Sequence, residues 1–548
     1  MKPHGLLLIA LAMLLIAAQS AATDTMQPAA ALGNENLGLV SFPVSCSQKV
    51  LRPFNRGVAL LHDFWYVEAQ RQFQQIADSS PECAMAHWGI ALSLFHQIWD
   101  RPDDKTTARG WTEMKAARAH VAKTARERAY ISALSEFFRP DKRDYQARID
   151  RYSAALNEIY DRYPNDTDAG AFYALSLLAA KAPSDTSLIP EHKAMTVLIP
   201  LFAKFPDHPG VVHYIIHACD TPSMAADGLA AARHYGAIAP SGPHAVHMPG
   251  HIFARLGLWS EDIDANLGSV AASRSADARN ESGWMDQFHS DDFLVYAYLQ
   301  SGQEIRAREI AADADAAIQH YQSMPDMAPD RYMVGMFPYY RVKLPIFIAL
   351  EVRDWASALK LAADPSAPPE TQTQIYWAKS IAAGHLHDGK SAQDAVAEYA
   401  ALLDGIRKGD HAYIAESTST KVGQGEMQSW LAFATGDMAT AEQLMRTTAD
   451  LQDKVGQDEV DIPAREMLAD MLLEWSRPKE ALVEYEQALK LSPNRFNGLF
   501  NAGIAAERAG DKASAVTFYR TLLKSTDNGA HSARAEFTHV RDFVNSMN

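Results

Sequence analysis

The chain has 548 residues, a formal net charge of −16 at pH 7 and a hydrophobic fraction of 47%. An acidic chain without a sizeable basic cluster is a poor partner for nucleic acid, so no nucleic-acid binding is predicted. Its three cysteines are too few for a disulfide scaffold.

The first 22 residues have the composition of a bacterial secretory signal peptide. One lysine precedes the apolar run Leu6–Ala18, and small residues follow at Ser20 and Ala22. The pattern predicts a cleaved segment at 1–22, an N-terminal extension at 23–45, and a periplasmic or secreted mature protein. No later stretch reaches the roughly 20 apolar residues that a spanning helix needs, so no transmembrane segment is predicted.

Two cysteines are placed for a disulfide bond. Cys46 and Cys83 each fall just before a predicted helix, and those two helices are expected to be neighbours. In an oxidising compartment the pair can close; the alternative is two small buried thiols. Cys219 falls at a core position, and we interpret it as a packing residue.

A repeat is clearest near the C-terminus, in PKEALVEYEQALKLSPNRFNGLFNAGIAAERAGDKASAVTFYRTLL. Small residues fall where two helices must touch, aromatic residues fill the space between them, and proline blocks helix continuation. The same pattern fits NRGVALLHDFWYVEAQRQFQQIADSSP, and Pro206 and Pro240 bracket another copy with a period of 34 residues. This resembles the tetratricopeptide repeat, which implies an all-α fold, a right-handed helical solenoid of helix-turn-helix units.

The repeats divide the chain into two predicted sets. An N-terminal superhelix is expected at 46–310 and C-terminal repeats at 339–548. The segment 311–338 breaks the periodicity with Met and Pro. We predict a loop or linker there, after a long second helix.

A histidine pair recurs at the repeat interval. His213 and His217 have the spacing H-x3-H, and His247 and His251 repeat it 34 residues later. Residues three and four apart share one helix face. In tetratricopeptide repeats positions 2, 5 and 9 of the first helix face the concave groove, as the resemblance implies. Over three successive repeats, six of these nine positions are histidine: His213, His217, His244, His247, His251 and His289.

This cluster predicts a transition-metal site. An i,i+4 histidine pair can chelate one ion from one helix, and packed helices lie close enough for imidazoles of neighbouring helices to share it. Imidazole suits copper, zinc and iron. Six histidines in two groups of three suit one or two ions, by analogy with coupled dicopper proteins. Asp292, at position 5 of the third repeat, completes the predicted ligand set.

Four more residues are predicted at or near the groove with a lesser role. His62 and His96 fall at position 13 of consecutive repeats, several helices before the cluster. Tyr296 is expected to face the site. Asp220 is expected either to accept a hydrogen bond from a ligand imidazole or simply to end its helix.

Several segments resemble a group of exported bacterial tetratricopeptide-repeat proteins. They include VALLHDFWYVEA, CAMAHWGIALS, DHPGVVHYIIHACD and PHAVHMPGHIFARLGLW, and together they cover about residues 46–305. The resemblance implies the fold and export but no reaction. This chain has FHSDDFLVYAYLQ where the group reads nearer LHAMDYLVYAYLQ, which keeps His289 and Asp292.

Three functions remain open. The first is a binding or scaffold protein whose groove holds a metal. The second is a metalloenzyme that uses the same histidines, either a copper or iron oxidase or oxygenase, or a zinc hydrolase. The third is a metal-free module that holds a peptide, a protein or a small molecule in the groove. The sequence contains no H-E-x-x-H, G-x-S-x-G, Walker or dinucleotide motif, which favours binding over catalysis.

Overall fold

The protein is described from a computed structural model, which covers residues 35–120, 122–322, 331–362, 367–409, 411–457 and 461–547. The predicted signal peptide at 1–22 lies outside the described residues. In the described part of the chain every regular element is helical. Successive helices pack on one another along the chain, which confirms the predicted all-α solenoid of helix-turn-helix units.

The first sixteen helices carry the N-terminal repeats and the segment that was predicted to be a linker. They are α1 (Leu51–His62), α2 (Tyr66–Ser79), α3 (Ala84–Leu92), α4 (Asp104–Ala119), α5 (Ala125–Phe138), α6 (Tyr145–Arg162), α7 (Thr167–Ala179), α8 (Ile189–Lys204), α9 (Pro209–Cys219), α10 (Ala225–Ile238), α11 (Pro243–His247), α12 (Pro249–Arg255), α13 (Trp259–Ala278), α14 (Trp284–Gln300), α15 (Glu304–Gln322) and α16 (Arg331–Glu351).

The remaining helices form the C-terminal repeats. They are α17 (Trp355–Ala358), α18 (Pro369–His385), α19 (Gly389–Ile406), α20 (Ala412–Ala415), α21 (Thr418–Ala434), α22 (Met438–Val455), α23 (Ala464–Glu474), α24 (Pro478–Leu491), α25 (Phe496–Ala509), α26 (Lys512–Ser525) and α27 (Glu536–Ser546). Short 3-10 turns lie at Gln48–Val50 and Asp527–Gly529.

Small residues at fixed repeat positions let the helices approach. The ring of Phe73 on α2 lies between two glycines, where a Cβ atom would come within 2.7 Å of it at Gly57 and 2.4 Å at Gly89. Polar caps set the helix starts: the Thr124 and Glu127 side chains form a capping box at the beginning of α5. Small residues therefore determine where two helices can touch, and capping residues determine where a helix begins.

The described part of the extension before α1, residues 35–45, is fixed to the folded chain by backbone hydrogen bonds. The backbone N–H of Leu39 donates to the carbonyl of Asp207 at 2.9 Å, and the N–H of Ser241 donates to Asn36 at 3.1 Å. A disulfide bond joins Cys46 to Cys83, with Cα atoms 5.2 Å apart. These contacts hold the N-terminal segment against α9 and its surroundings.

Helix occupies both described parts of the segment 311–338, for which a long second helix and then a loop or linker was predicted. Residues 311–322 complete α15, and residues 331–338 begin α16; the rest of the segment lies outside the described residues. Pro338 and Pro345 both lie inside α16. Proline costs a helix one hydrogen bond, and here the buried side chains of Tyr340 and Leu344, packed in one hydrophobic cluster with residues of α14, stabilise the helix through it.

The C-terminal repeats fold back onto the middle of the chain. The indole N–H of Trp259 donates to the carbonyl of Asn494 at 2.8 Å. The guanidinium of Arg495, only 1% exposed, forms 2.8 Å ion pairs with Glu351 and Glu466. Across the described residues no helix is both long and apolar enough to cross a membrane.

Candidate metal centre

The six predicted histidines lie on four helices that meet at one place. His213 and His217 lie on α9, and His244 is the second residue of α11. His247 ends α11, His251 lies on α12 and His289 lies on α14. Met248 joins the two helices with right-handed helical dihedral angles, so the pair keeps its i,i+4 spacing across the junction.

The structure divides these side chains into two groups of three. One group is His213, His217 and His244, and the other is His247, His251 and His289. Within each group one nitrogen per ring lies within 4.8 Å of the others. Nitrogens that surround one ion at roughly 2 Å lie about 3.3 Å apart, so a small inward movement closes each group on an ion.

The two groups, hereafter triad A (His213, His217, His244) and triad B (His247, His251, His289), are adjacent. The rings of His244 and His247 have centroids 5.8 Å apart. Those of His217 and His251 are 6.3 Å apart, and those of His244 and His289 are 6.5 Å apart. The cluster is therefore continuous across the two triads.

In triad B the outer nitrogens are held by oxygen acceptors. His251 Nδ1 lies 2.9 Å from the Asp220 carboxylate, and His247 Nδ1 lies 2.6 Å from Asn266 Oδ1. The amide nitrogen of Asn266 donates to the carbonyl of Asp262 at 2.9 Å, which fixes the orientation of the amide. Both histidines must therefore carry their proton on Nδ1, because a carboxylate and an amide oxygen can only accept.

This protonation leaves two bare nitrogens face to face. His247 Nε2 and His251 Nε2 are 3.0 Å apart. Each has a lone pair and no proton when its ring is neutral, so neither can donate to the other. A glycine, Gly250, lets α13 approach closely enough to place the acceptor, since a Cβ atom there would lie 2.7 Å from the amide nitrogen of Asn266.

Triad A presents nitrogens that have no hydrogen-bond partner among the described residues. His213 Nδ1 donates to the backbone carbonyl of His62 at 2.5 Å, while its Nε2 is buried and unpartnered, as is Nε2 of His217. His244 has both nitrogens buried without a hydrogen bond, although its Nδ1 lies 3.5 Å from an Asp286 oxygen.

Burial keeps the rings of His213, His217, His244 and His247 neutral. Loss of solvent, together with the neighbouring imidazoles, lowers the pKa of His213, His244 and His247 well below the usual range. The same causes lower the pKa of His217 to about 3. At Asp220 burial opposes ionisation, but the guanidinium of Arg255 and the hydrogen bond from His251 hold the pKa of Asp220 below its usual range. The site combines neutral donors with an ionised outer acceptor.

Aromatic side chains enclose the cluster. Phe64 lies 4.4 Å from the ring of His213, and Trp99 lies 5.0 Å from that of His244. Phe293 covers triad B, 4.8 Å from His247 and 4.7 Å from His251. The histidines that were predicted to face the concave groove are enclosed: His213 and His247 are 0% exposed.

Asp292 is separated from the predicted ligand set. It belongs to neither triad; instead its carboxylate is buried on α14 and forms a 2.6 Å ion pair with Lys343 of α16. The partner comes from beyond the segment predicted to be a linker, so the local repeat position could not reveal it.

Tyr296 also turns away from the predicted position. Its hydroxyl donates to the carbonyl of Asp461 at 3.1 Å and accepts from Arg495, so it belongs to the contact between the middle of the chain and the C-terminal repeats. His96 stacks on Tyr66 with ring centroids 4.7 Å apart, and its Nδ1 lies 3.4 Å from Asp100.

His62 belongs to a separate buried cluster with Asp168 and His208. Its Nε2 donates to Asp168 at 2.9 Å, and its Nδ1 accepts from the Tyr214 hydroxyl at 2.9 Å. His208 Nε2 lies 3.3 Å from the same carboxylate oxygen. Contrary to the expectation that His62 lies several helices away from the main cluster, its backbone carbonyl holds His213, because α1 packs directly on α9.

Sequence reasoning missed polar residues that lie beside the candidate ligands. Asn266 and Asp286 come from α13 and α14, and no local pattern marks them. His208 had a usable signal, since it stands directly before Pro209 at the start of a helix; its ring indeed accepts from the backbone N–H of Val211 at 3.3 Å.

Comparisons with known proteins add little to this description. No family model matches the chain, and no curated protein matches it. Among solved structures, the chain is similar to the TPR domain of P58(IPK), with 15% identity, 70% of this chain and 99% of that chain covered, and a TM-score of 0.21. It is also similar to a monomeric mutant of IFIT1 with Gppp-AAAA, with 10% identity, 92% and 96% covered, and a TM-score of 0.33.

Proposed function

We propose that this chain is an exported helical-repeat protein that binds two transition-metal ions, one at triad A and one at triad B. The observation that carries the proposal is the 3.0 Å approach of His247 Nε2 to His251 Nε2, with both Nδ1 atoms committed to oxygen acceptors. Two lone pairs that face each other repel, and a cation between them removes the repulsion. Metal-bound histidines commonly have an outer hydrogen bond of this kind.

The unpartnered nitrogens of triad A support a second ion. A buried polar atom without a partner costs roughly 1–3 kcal/mol, and triad A holds such atoms on His213, His217 and His244 together. One ion at roughly 2 Å from three imidazoles would satisfy one nitrogen of each ring.

The ligand set restricts the metal. All six candidate donors are imidazoles, which suit copper, zinc and iron rather than calcium or magnesium. A thiolate does not contribute, because Cys219 packs against Met195 with the two sulfurs 3.6 Å apart and burial raises the pKa of its thiol to about 12.

Metal content of the purified protein tests the proposal. The mature chain, freed of any histidine tag, would be stripped with chelator and titrated separately with Cu(I), Zn(II) and Fe(II), and bound metal would be measured after dialysis. Binding of about two ions per chain of at least one of these metals is expected, with a rise in Tm as ligand linkage requires. Failure to retain any of the three metals would overturn the proposal.

Export is part of the same proposal. The Cys46–Cys83 disulfide supports it, since disulfides persist in oxidising compartments. N-terminal sequencing of the protein from a periplasmic fraction is expected to begin near residue 23. Recovery of the chain in the cytoplasm with residues 1–22 intact would contradict export.

A further inference from the structure

We infer that triads A and B form one dinuclear copper centre that reacts with dioxygen. The inference rests on the proposed function, since it requires an ion at each triad. It adds three things that metal binding alone does not require: that the two ions act together, that they are copper, and that a small diatomic molecule is their ligand.

The first step is the closeness of the triads. Three ring pairs across the boundary have centroid distances of 5.8, 6.3 and 6.5 Å. Each ion lies roughly 2 Å from its ring nitrogens. Rings this close across the boundary bring an ion at each triad near enough for one small ligand to contact both, as in two-metal sites with ions about 3.5–4 Å apart.

The second step is the charge of the site. Neither triad contains a carboxylate, and the nearest outer carboxylate, Asp220, is already paired with Arg255 at 2.8 Å. Two divalent ions would bring four positive charges into a buried space with neutral ligands, where repulsion is large. Two cuprous ions bring half that charge, and Cu(I) accepts imidazole ligands. The ligand set therefore favours a reduced copper pair.

The third step is access. Phe64 is 3% exposed and Phe293 is 1% exposed, and both rings touch the histidines. A peptide or a charged substrate would have to displace these side chains. A small uncharged molecule needs a much smaller opening between these side chains. Dioxygen meets this requirement and reacts with Cu(I).

The reaction balances without another reagent. With a cuprous ion held at each triad, the pair would supply two electrons, one from each ion. Dioxygen would be reduced to the oxidation level of peroxide, with its oxygen–oxygen bond retained as a single bond. No proton is consumed. The outer hydrogen bonds from His247 and His251 to Asn266 and Asp220 place partial negative charge behind two ligands, which stabilises the cupric state as it forms.

Anaerobic loading followed by oxygenation tests the inference. The full-length mature protein would be loaded with Cu(I), mixed with a known amount of dioxygen, and followed by oxygen uptake, absorbance and electron paramagnetic resonance. Uptake of about one dioxygen per copper pair is expected, and most of the oxidised copper should give no resonance signal because the two spins couple.

Two controls keep the outcomes distinct. The variant His208→Asn, which changes the separate cluster, should behave like the parent protein. The variant His244→Gln should hold about one copper and show it as an ordinary isolated Cu(II) signal. If the parent binds two copper ions but shows both as isolated Cu(II), or takes up no dioxygen, the dinuclear inference fails while metal binding stands. If it binds no copper, this inference fails, and the titrations with zinc and iron decide metal binding.

Discussion

Two clusters of buried histidines lie side by side in this protein, and they differ in the hydrogen-bond partners of their ring nitrogens. In the cluster of His62, Asp168 and His208, every ring nitrogen has a partner from the chain: the carboxylate, the Tyr214 hydroxyl or a backbone N–H. The six-histidine cluster of triads A and B leaves nitrogens unpartnered or facing each other. Both clusters could be proposed as metal sites from residue types alone.

The difference shows that hydrogen-bond accounting separates a structural cluster from a ligand-binding one. Asp168 is stabilised as an anion by two imidazole N–H groups, which hold its pKa below the usual range although burial opposes this. Asp168 therefore supplies the negative charge and the hydrogen-bond acceptor for its own cluster. The six-histidine cluster has no such internal anion, and we propose that metal completes it. Each prediction below tests one side of this contrast.

Loss of ligands from triad B gives the largest expected effect. In the double variant His247→Gln with His251→Gln, the stoichiometry should fall from about two ions per chain to about one, because triad A is left intact. Glutamine retains much of the ring volume, which matters because these side chains are buried rather than groove-lining. Metal analysis and far-UV circular dichroism on the same preparation measure the effect.

The matched control lies in the other cluster. His208→Asn keeps an N-cap for α9, since asparagine is a good capping residue, and removes one partner of Asp168. It should retain about two ions. Loss of metal from this variant, together with full retention by the double variant, would reverse the roles assigned to the two clusters.

Acid should destabilise the metal-free protein through both clusters. Burial lowers the pKa of His62 to about 4 and that of His217 to about 3, against 6.5 for an ordinary histidine. Below pH 6.5 these histidines become protonated in the unfolded chain but stay neutral in the folded chain. The free energy of unfolding therefore decreases as pH falls. Each such histidine removes about 1.4 kcal/mol per pH unit. Urea unfolding of the metal-free protein at pH 7.5, 6 and 5 measures this. A free energy of unfolding that does not change over that range would show that the rings are not held neutral.

Replacement of an outer carboxylate by a neutral amide should weaken metal binding without abolishing it. In Asp220→Asn the carboxylate that orients His251 is lost, and outer partners of this kind contribute about 10–100-fold in affinity. Competition with a chelator of known affinity measures the change. The control Asp207→Asn alters another carboxylate that pairs with a histidine, His234, at 2.9 Å on the protein surface, and its affinity should equal that of the parent. Equal affinity for all three proteins would show that Asp220 does not contribute to metal binding.

Reduction of the disulfide should have the smallest effect on the metal site. The bond joins Cys46 to Cys83, and neither residue contacts the triads. Thiol counting on the exported, denatured protein should find one free cysteine, Cys219. Mild reduction should lower Tm, since loss of a disulfide typically costs about 2–4 kcal/mol, and leave the metal content unchanged. Three free thiols before reduction would contradict the bond.

Much of this fold follows from local sequence. The 34-residue interval and the i,i+4 spacing place His213, His217, His247 and His251 on facing surfaces of neighbouring helices, because both periods are properties of the backbone. These features need no knowledge of distant contacts. The membership of the two triads does not follow from the same arithmetic, because His244 shares α11 with His247 but groups with His213 and His217 of α9.

The errors have a common physical cause, which is contact over long sequence distances. Phe64 caps triad A from a turn whose backbone has a φ of 56°, and nothing local indicates that this turn meets α9. Asp292 forms an ion pair with Lys343, and Tyr296 accepts a hydrogen bond from Arg495; these partners are about 50 and 200 residues apart in sequence. Repeat periodicity describes each helix pair, but it does not say where the solenoid folds back on itself.

Anomalous diffraction from crystals of the metal-loaded protein tests the central claim most directly. Data collected on both sides of the metal absorption edge locate each ion without reference to the protein atoms. The account predicts two peaks, one among His213, His217 and His244 and one among His247, His251 and His289, and no peak between His62 and His208. A peak at the His62–Asp168–His208 cluster with none at the two triads would contradict it.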